Sequence, residues 1–234
     1  MAHGRDDLDP ERLRVILAVE TSCDDTCAAV VTEHGEIRSN VISSQGVHDR
    51  FGGVVPEIAS RHHLELVGHV IDDALDRAET SLDALDLVAV TAGPGLVAAL
   101  LVGLSTAKGI AAAFSLPLAA VDHLHGHVAA SWRIDEAREF ECSLLPPRVL
   151  APEALAEVVA PLGPATLAIG DGAIRFREVL ERSGSFIPED DSPLHKVAAV
   201  NHCRLADHLE GGAPDGVRPD YLRAPDAEIA HRTP

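Results

Sequence analysis

The sequence predicts an α/β protein in two lobes: mixed β-sheets flanked by helices. Three observations predict it. Short apolar runs of strand length alternate with segments whose apolar residues recur at helical spacing. Alanine and valine carry the apolar content while aromatics are only 3%, so the core is built from small side chains that suit helices packed closely on a sheet. A charged stretch containing Pro146-Pro147 marks a junction. The expected division is a polar tail over 1–14, a first lobe over 15–134 and a smaller second lobe over 135–234. With 46% apolar and 24% charged residues, the chain is neither disordered nor collagen-like.

The first lobe opens with two apolar runs, Val15–Val19 and Ala28–Thr32, read as hairpinned strands around a polar turn. His34-Gly35-Glu36 turns the chain into a third strand, Ile37–Ser43, and Phe51-Gly52-Gly53 breaks it. From Pro56 to Ala78 the spacing of Ile58, Leu64, Val67, Val70, Ile71 and Leu75 is helical. A short strand from Leu87 to Val90 follows, then a small-residue helix from after Gly95 to Phe114, and a strand from Leu118 to Val121. The stretch Leu87–Ala107 carries no charge and is long enough to span a bilayer. Gly93-Pro94-Gly95 cuts it into strand, loop and helix, so no membrane segment is expected. In the second lobe, Ala151–Val159 reads as a helix with proline at its first turn, Ala165–Ile169 as a strand, Ile174–Ser183 and His195–Glu210 as helices, and Asp215–Glu228 as an extended tail.

Asp plus Glu number 37 against 19 Lys plus Arg, a formal net charge of −18. That field repels phosphate backbones, so a nucleic-acid substrate requires a local arginine patch or a partner. Arg133, Arg138 and Arg148 at the junction, and Arg175, Arg177 and Arg182 on one predicted helix, are such clusters, or else a solvated salt-bridged face. Cys23, Cys27, Cys142 and Cys203 form no CxxC pair and read as reduced thiols. The N-terminus has no apolar segment of signal-peptide type, and a cytoplasmic location is expected.

Four motifs carry chemistry. Glu20-Thr21-Ser22-Cys23-Asp24-Asp25-Thr26 places hydroxyls and carboxylates at a strand end, where they hold a phosphate, a metal or a polar acyl group, or simply form a hairpin turn. Gly93-Pro94-Gly95 leads from strand to helix and admits either a ligand or another stretch of chain to the helix N-terminus. His123 and His127 are four apart, share one helical face and have the spacing of a metal-chelating pair. Leu124 stands where a zinc protease would carry its glutamate, which argues against that chemistry. Gly170-Asp171-Gly172 either ends a strand or touches a phosphate.

Together, VILAVETSCDDTCAAVV (15–31), FGGVVPEIASR (51–61), GPGLVAALLVG (93–103) and VDHLHGHV (121–128) resemble the TsaD family of tRNA adenosine threonylcarbamoyltransferases. The resemblance implies the two-lobed actin/Hsp70-like ATPase (RNase H-like) architecture. It implies transfer of a threonylcarbamoyl group from threonylcarbamoyl-AMP to N6 of adenine 37 in ANN-decoding tRNA. Carried onto this sequence, it puts one divalent metal ion, iron or zinc, on His123 and His127. Asp24 and Asp25 become the catalytic carboxylates, and Thr21, Ser22, Thr26, Gly93 and Gly95 the substrate or nucleotide contacts. His125 replaces the family's usual acidic residue. The implied partners are a TsaD- or TsaB-type homologue, a TsaE-type ATPase with ATP and Mg²⁺, and tRNA bound through the complex.

The second half departs from that pattern. The family's SGGHT loop and its terminal Asn/Asp-rich segment are absent from this sequence. RVLAPEALAEVV, AIGDGAIRFREVLE, IPEDDSPLH and RPDYLRAPDAE instead resemble the C-terminal lobe of TsaB, the catalytically inert partner of TsaD. Gly170, Asp171 and Gly172 are the second-lobe site candidates, and Asp220 and Asp226 the candidates for a third metal ligand. Two readings follow: a metal-dependent acyltransferase, or a partner subunit that dimerises with an intact TsaD through helices at 56–78 and 96–113.

Overall fold

A computed structural model describes residues 13–33, 35–45, 54–130, 145, 148–196, 198–207, 209 and 211–220. Its centre is a five-stranded sheet in the order β3-β2-β1-β4-β5. The strands are β1 (Val15–Glu20), β2 (Asp25–Thr32), β3 (Ile37–Ser44), β4 (Leu87–Gly93) and β5 (Leu118–Asp122). β1 to β3 form an antiparallel meander, and β4 and β5 add parallel to β1. The sheet is therefore mixed, as expected, and every residue of β1 and β4 is buried. That burial explains their unbroken apolar runs, because a strand covered on both faces needs no polar alternation.

Alternate residues separate the two faces. Leu17, Val19, Ala28, Val30, Val88 and Val90 point toward α1 (Pro56–Arg77) and α2 (Val97–Ala113), meeting Val67, Val70, Ile71, Ala74, Leu104, Ala107 and Ala111. Ile16, Ala18, Cys27, Ala29, Val31, Leu87, Ala89 and Val121 form the opposite face. That face is covered by Ala199, Val200, Cys203 and Ala206 of α7 (Ala199–Asp207). The second half of the chain thus returns to roof the first sheet. Residues beyond α7 continue along its edge: Leu118 and Gly212 exchange backbone hydrogen bonds of 3.0 and 2.9 Å, and Asp220 N–H donates to Ala92 O at 2.7 Å.

Between these layers, α3 (His123–Ala129) follows β5 directly, started by the Asp122 side chain, which accepts from His125 N–H. The remaining helices are α4 (Pro152–Val159), α5 (Asp171–Arg175) and α6 (Arg177–Arg182). They enclose a small cluster of Ala173, Leu180 and Ile187.

Several expectations need correction. The strand expected at Ala165–Ile169 is reduced to one bridge, Leu167 to Phe186, after a 3₁₀ segment over Ala160–Ala165; only two residues' worth of partner chain runs beside it. The single helix expected at Ile174–Ser183 is two short ones, broken at Phe176 with φ −112° and ψ 25°. Helix formation expected from His195 begins only at Ala199, because Pro193–His195 forms its own 3₁₀ turn. Arg175 and Arg177 therefore sit on different helices. Arg177 pairs with Glu181 at 3.1 Å and Asp190 at 2.6 Å, and Arg175 lies over the Phe176 ring, as a salt-bridged face would. Phe51-Gly52-Gly53, Arg133, Arg138, Cys142, the Pro146-Pro147 pair and Asp226 lie outside the described residues.

Candidate functional site

The C-terminal ends of β1, β4 and β5 converge, as parallel strands do where α/β proteins place their sites. Glu20 ends β1 and is 2% exposed. A buried carboxylate needs several partners, and Glu20 has them. One oxygen accepts from Ser22 N–H. The other, Oε2, accepts from Thr91 Oγ1 at 2.5 Å and faces His123 Nδ1 at 3.2 Å and His202 Nε2 at 3.0 Å. The His202 Nε2 approach is a close contact rather than an aligned hydrogen bond. Burial works to raise the Glu20 pKa, but the two histidines hold it well below the ordinary carboxylate range.

His123 starts α3, with Ser22 Oγ at 2.8 Å from its Nδ1. A carboxylate only accepts, so the hydrogen between His123 and Glu20 sits on Nδ1. Burial opposes charge on His123, yet Glu20 overrides it and keeps the pKa above the usual value. One turn on, the His127 ring stands edge-on to His123 with centroids 4.9 Å apart. The predicted pairing of these two rings on one face is thus present. His127 Nδ1 is buried without a hydrogen-bond partner. Burial, then the neighbouring His123, lower its pKa to about 4.

The hydroxyl and carboxylate turn is built against α2. Thr21 Oγ1 donates to Ala99 O at 2.8 Å and accepts from Gly103 N–H at 3.1 Å. Gly95 and Gly93 serve close backbone approach: a Cβ on Gly95 would lie 2.6 Å from Ser22 O, and one on Gly93 2.1 Å from Asp220 O. The space these glycines create is filled by the protein's own chain, and Gly93-Pro94 is cis. Thr26 is buried on β2 and hydrogen-bonded to His63 Nδ1 at 2.8 Å, while His63 Nε2 reaches Cys23 O at 3.0 Å. Asp25 opens β2. Burial raises its pKa, a Ser44 hydrogen bond opposes that, and the charges of Asp24 and Asp171 add to the rise. The Gly170-Asp171-Gly172 loop therefore lies within electrostatic reach of the Asp24-Asp25 turn, with Lys196 also acting on Asp25. Gly170, at φ +91°, donates its N–H to His195 Nδ1 at 3.1 Å.

Sequence reasoning missed Glu20 as the hub, and with it Thr91, His63 and His202. None of the described cysteines, Cys23, Cys27 and Cys203, is in a disulfide. Burial, then the charge of Asp24, push the Cys23 thiol up to about 12, and burial holds Cys27 well above its usual value. Neither is an activated nucleophile.

Two observations bear on a metal. His123 donates its Nδ1–H to a carboxylate, as metal-ligating histidines do, and His127 has an orphaned buried nitrogen. The pair fits two positions of a coordination shell. Among the described residues, no group of three His, Cys, Asp or Glu is gathered to complete one.

The family model for TsaD, tRNA N6-adenosine threonylcarbamoyltransferase, matches residues 36–145. Over its first half the chain is TsaD-like. A tRNA N6-adenosine threonylcarbamoyltransferase of Dehalococcoides mccartyi is 53% identical over 131 residues, 56% of this chain and 40% of its own length. One from Clostridium botulinum is 54% identical over 118 residues, 50% of this chain and 35% of its own. The chain thus spans about two fifths of the length of the curated TsaD relatives it matches. Among solved structures, YeaZ from Pseudomonas aeruginosa superposes with a TM-score of 0.63 at 21% identity, covering 89% of this chain and all of that one. A Pseudomonas aeruginosa protein described as similar to peptidase YEAZ superposes with a TM-score of 0.59 at 20% identity, covering 90% of this chain. The fold is therefore that of YeaZ over most of the chain, while the TsaD family model covers the part that carries His123 and His127.

Proposed function

We propose that this chain acts in threonylcarbamoyladenosine formation on tRNA, its TsaD-like half presenting the site for transfer of threonylcarbamoyl from threonylcarbamoyl-AMP to N6 of adenine 37. The observation that carries the proposal is the Glu20–Ser22–His123 constellation, whose His123 lies inside the residues 36–145 that match the TsaD family model. The attacking group, an exocyclic amine conjugated to an aromatic ring, is a weak nucleophile. Positioning and electrophile activation must therefore supply most of the rate. Thr21, bonded to α2, and Ser22, bonded to His123 and Leu96 N–H, anchor the turn. Asp24 and Asp25, the latter within electrostatic reach of Asp171, are the groups that receive a proton from the amine. His123 and His127 are the residues that would hold a divalent ion, which supplies Lewis-acid polarisation of the carbamoyl carbonyl. Iron or zinc is the proposed identity. A TsaE-type ATPase with ATP and Mg²⁺ is the proposed further partner, and a cytoplasmic location is part of the reading. No helix among the described residues is long and apolar enough to cross a membrane.

A second reading has support of its own. The YeaZ likeness runs over 89% of the chain, and a completed three-ligand group is lacking among the described residues. In this reading the chain is a TsaB-like subunit that pairs with an intact TsaD. Its interface would be α1 and α2, which expose Leu64 (70%), Leu101 (46%) and Val97 (39%), and whose Gly68 and Gly109 have open space at the Cβ position. The inherited division into 15–134 and 135–234 belongs to both readings. The test supplies threonylcarbamoyl-AMP, unmodified tRNA and the partner proteins, with this chain as the sole TsaD-like component, and measures modified adenosine by mass spectrometry. Product supports transfer. No product, with activity returning on addition of an intact TsaD, leaves the partner reading.

A further inference from the structure

His202 lies far outside the TsaD-like segment, on α7, yet it touches both halves of the candidate site. Its side chain is fully buried. Nε2 stands 3.0 Å from Glu20 Oε2, the oxygen that also faces His123. Nδ1 faces Ala198 O at 3.3 Å, one turn back on its own helix. The ring also lies flush against α3. A Cβ on Gly126 would come within 2.7 Å of its Cε1 and 2.9 Å of its Nε2. Gly126 is the glycine between the paired histidines, so the helix that carries His123 and His127 rests directly on this ring.

We propose that His202 is a positioning residue: by fixing Glu20 and seating α3, it holds His123 with its proton on Nδ1 and its Nε2 lone pair free. The inference rests on the site described above and deepens it, because it makes the second half of the chain part of that site. The chain of contacts is short. Thr91, Ser22 N–H and His202 restrain the Glu20 carboxylate. The restrained carboxylate selects the Nδ1–H form of His123, since it can only accept. The remaining nitrogen is then an available donor to an electrophile or a divalent ion. Without the His202 contact the carboxylate loses one wall and α3 loses its support at Gly126, so His123 is free to exchange tautomers.

The test is long-range ¹H–¹⁵N NMR on the metal-free, chelator-treated full chain with ¹⁵N-labelled histidine. In the wild type, at a pH well above the raised His123 pKa, the His123 signals should show a protonated Nδ1 and a pyridine-like Nε2. H202L matches the size but offers no polar atom to Glu20, and it should move His123 to a mixture of tautomers. H202Q, whose amide still reaches the carboxylate, should restore the wild-type pattern. If H202L does not fold, H202N, whose amide is too short to reach Glu20, makes the same discrimination. Zinc affinity by chelator competition should fall about 10- to 100-fold in H202L and recover in H202Q. A folded H202L or H202N with unchanged His123 signals overturns the proposal. The spectra are read without tRNA or acyl donor, so failure here leaves the transfer reading untouched. Failure of the tRNA assay likewise leaves this inference standing.

Discussion

Two glycines on α2 should respond to the same substitution with opposite sign. Gly103 faces the site: its N–H donates to Thr21 Oγ1 at 3.1 Å, and a Cβ there would lie 2.4 Å from that oxygen. Gly109, six residues on, has nothing within 4 Å of its Cβ position. Alanine in place of glycine inside a helix gains about 1 kcal/mol from backbone entropy, and that gain applies to both. At Gly103 the new methyl also drives Thr21 off its seat. Overpacking costs roughly 1–3 kcal/mol. The two hydrogen bonds of the Thr21 hydroxyl, worth about 1 kcal/mol each, are strained or lost as well. Gly103→Ala should therefore destabilise by about 2–3 kcal/mol net, and Gly109→Ala should stabilise by up to about 1 kcal/mol. Urea unfolding at pH 7.5, followed by circular dichroism, measures both. Gly103→Ala should also impair the tRNA assay, because the displaced threonine begins the turn that carries Ser22, Asp24 and Asp25. Equal effects from both substitutions would refute the argument that Thr21 is clamped by α2.

Other consequences are equally direct. His127 is held near pKa 4 against an ordinary 6.5, so between those pH values the unfolded chain takes a proton that the folded ring refuses. Stability of the metal-free protein should fall as pH drops from 6.5 to 4, by about 2 kcal/mol after allowance for the ring's partial exposure. His127→Gln should flatten that slope, and an unchanged slope in urea titrations at several pH values would count against it. Burial raises the Asp25 pKa, so Asp25→Asn should raise stability at pH 7 while lowering threonylcarbamoyl transfer; a melting temperature that falls instead contradicts the burial argument. Leu64→Glu and Leu101→Glu alter exposed positions and should leave the melting temperature within about 2 °C while weakening any dimer seen by light scattering. The −18 charge predicts weak binding of tRNA by the isolated chain at physiological salt, and tight binding in a filter assay would contradict it.

β1, β2 and β4 were legible in the sequence because they are buried on both faces and therefore carry continuous apolar runs, whereas β3, mostly exposed, was legible from the turn before it. Strand ends were less so. Asp25 and Thr26 look like turn residues, yet they pair with Ser44 and Ser43 of β3, and the ladder overrides local preference. Thr91, Ala92 and Gly93 extend β4 for the same reason, with β5 beside them. In the second half, Leu167 has the apolar neighbours of a strand, but among the described residues its pairing is a single bridge to Phe186 with two backbone hydrogen bonds, too short to extend into a ladder. His123 and His127 were legible from their spacing because helical geometry fixes which side chains share a face. Glu20 was visible as the first residue of the strand-end motif but not as its hub, because nothing local distinguishes a buried carboxylate from a solvated strand end. His202 had no signal at all: it is 182 positions from Glu20, and only the folding of α7 back onto the sheet brings the two together.

That return explains how a TsaD-like half and a differently patterned second half make one molecule. The sheet face made by Ile16, Ala18, Ala29, Val31, Leu87 and Ala89 is as apolar as the face beneath α1 and α2. The Ile, Val and Leu side chains among them each contribute roughly 1.5–3 kcal/mol, and the alanines about 0.8, only if something covers them, and among the described residues the cover is α7. Any second half that delivers a helix with small residues at the Ala199, Cys203 and Ala206 positions satisfies the sheet, whatever its other elements. What it brings to the site is a separate matter, decided by the residue on that helix that meets Glu20. Here that residue is a histidine packed under Gly126 and against Glu20. The requirement of the fold and the composition of the site therefore meet in α7. The first constrains its apolar positions loosely, and the second depends on the identity of position 202.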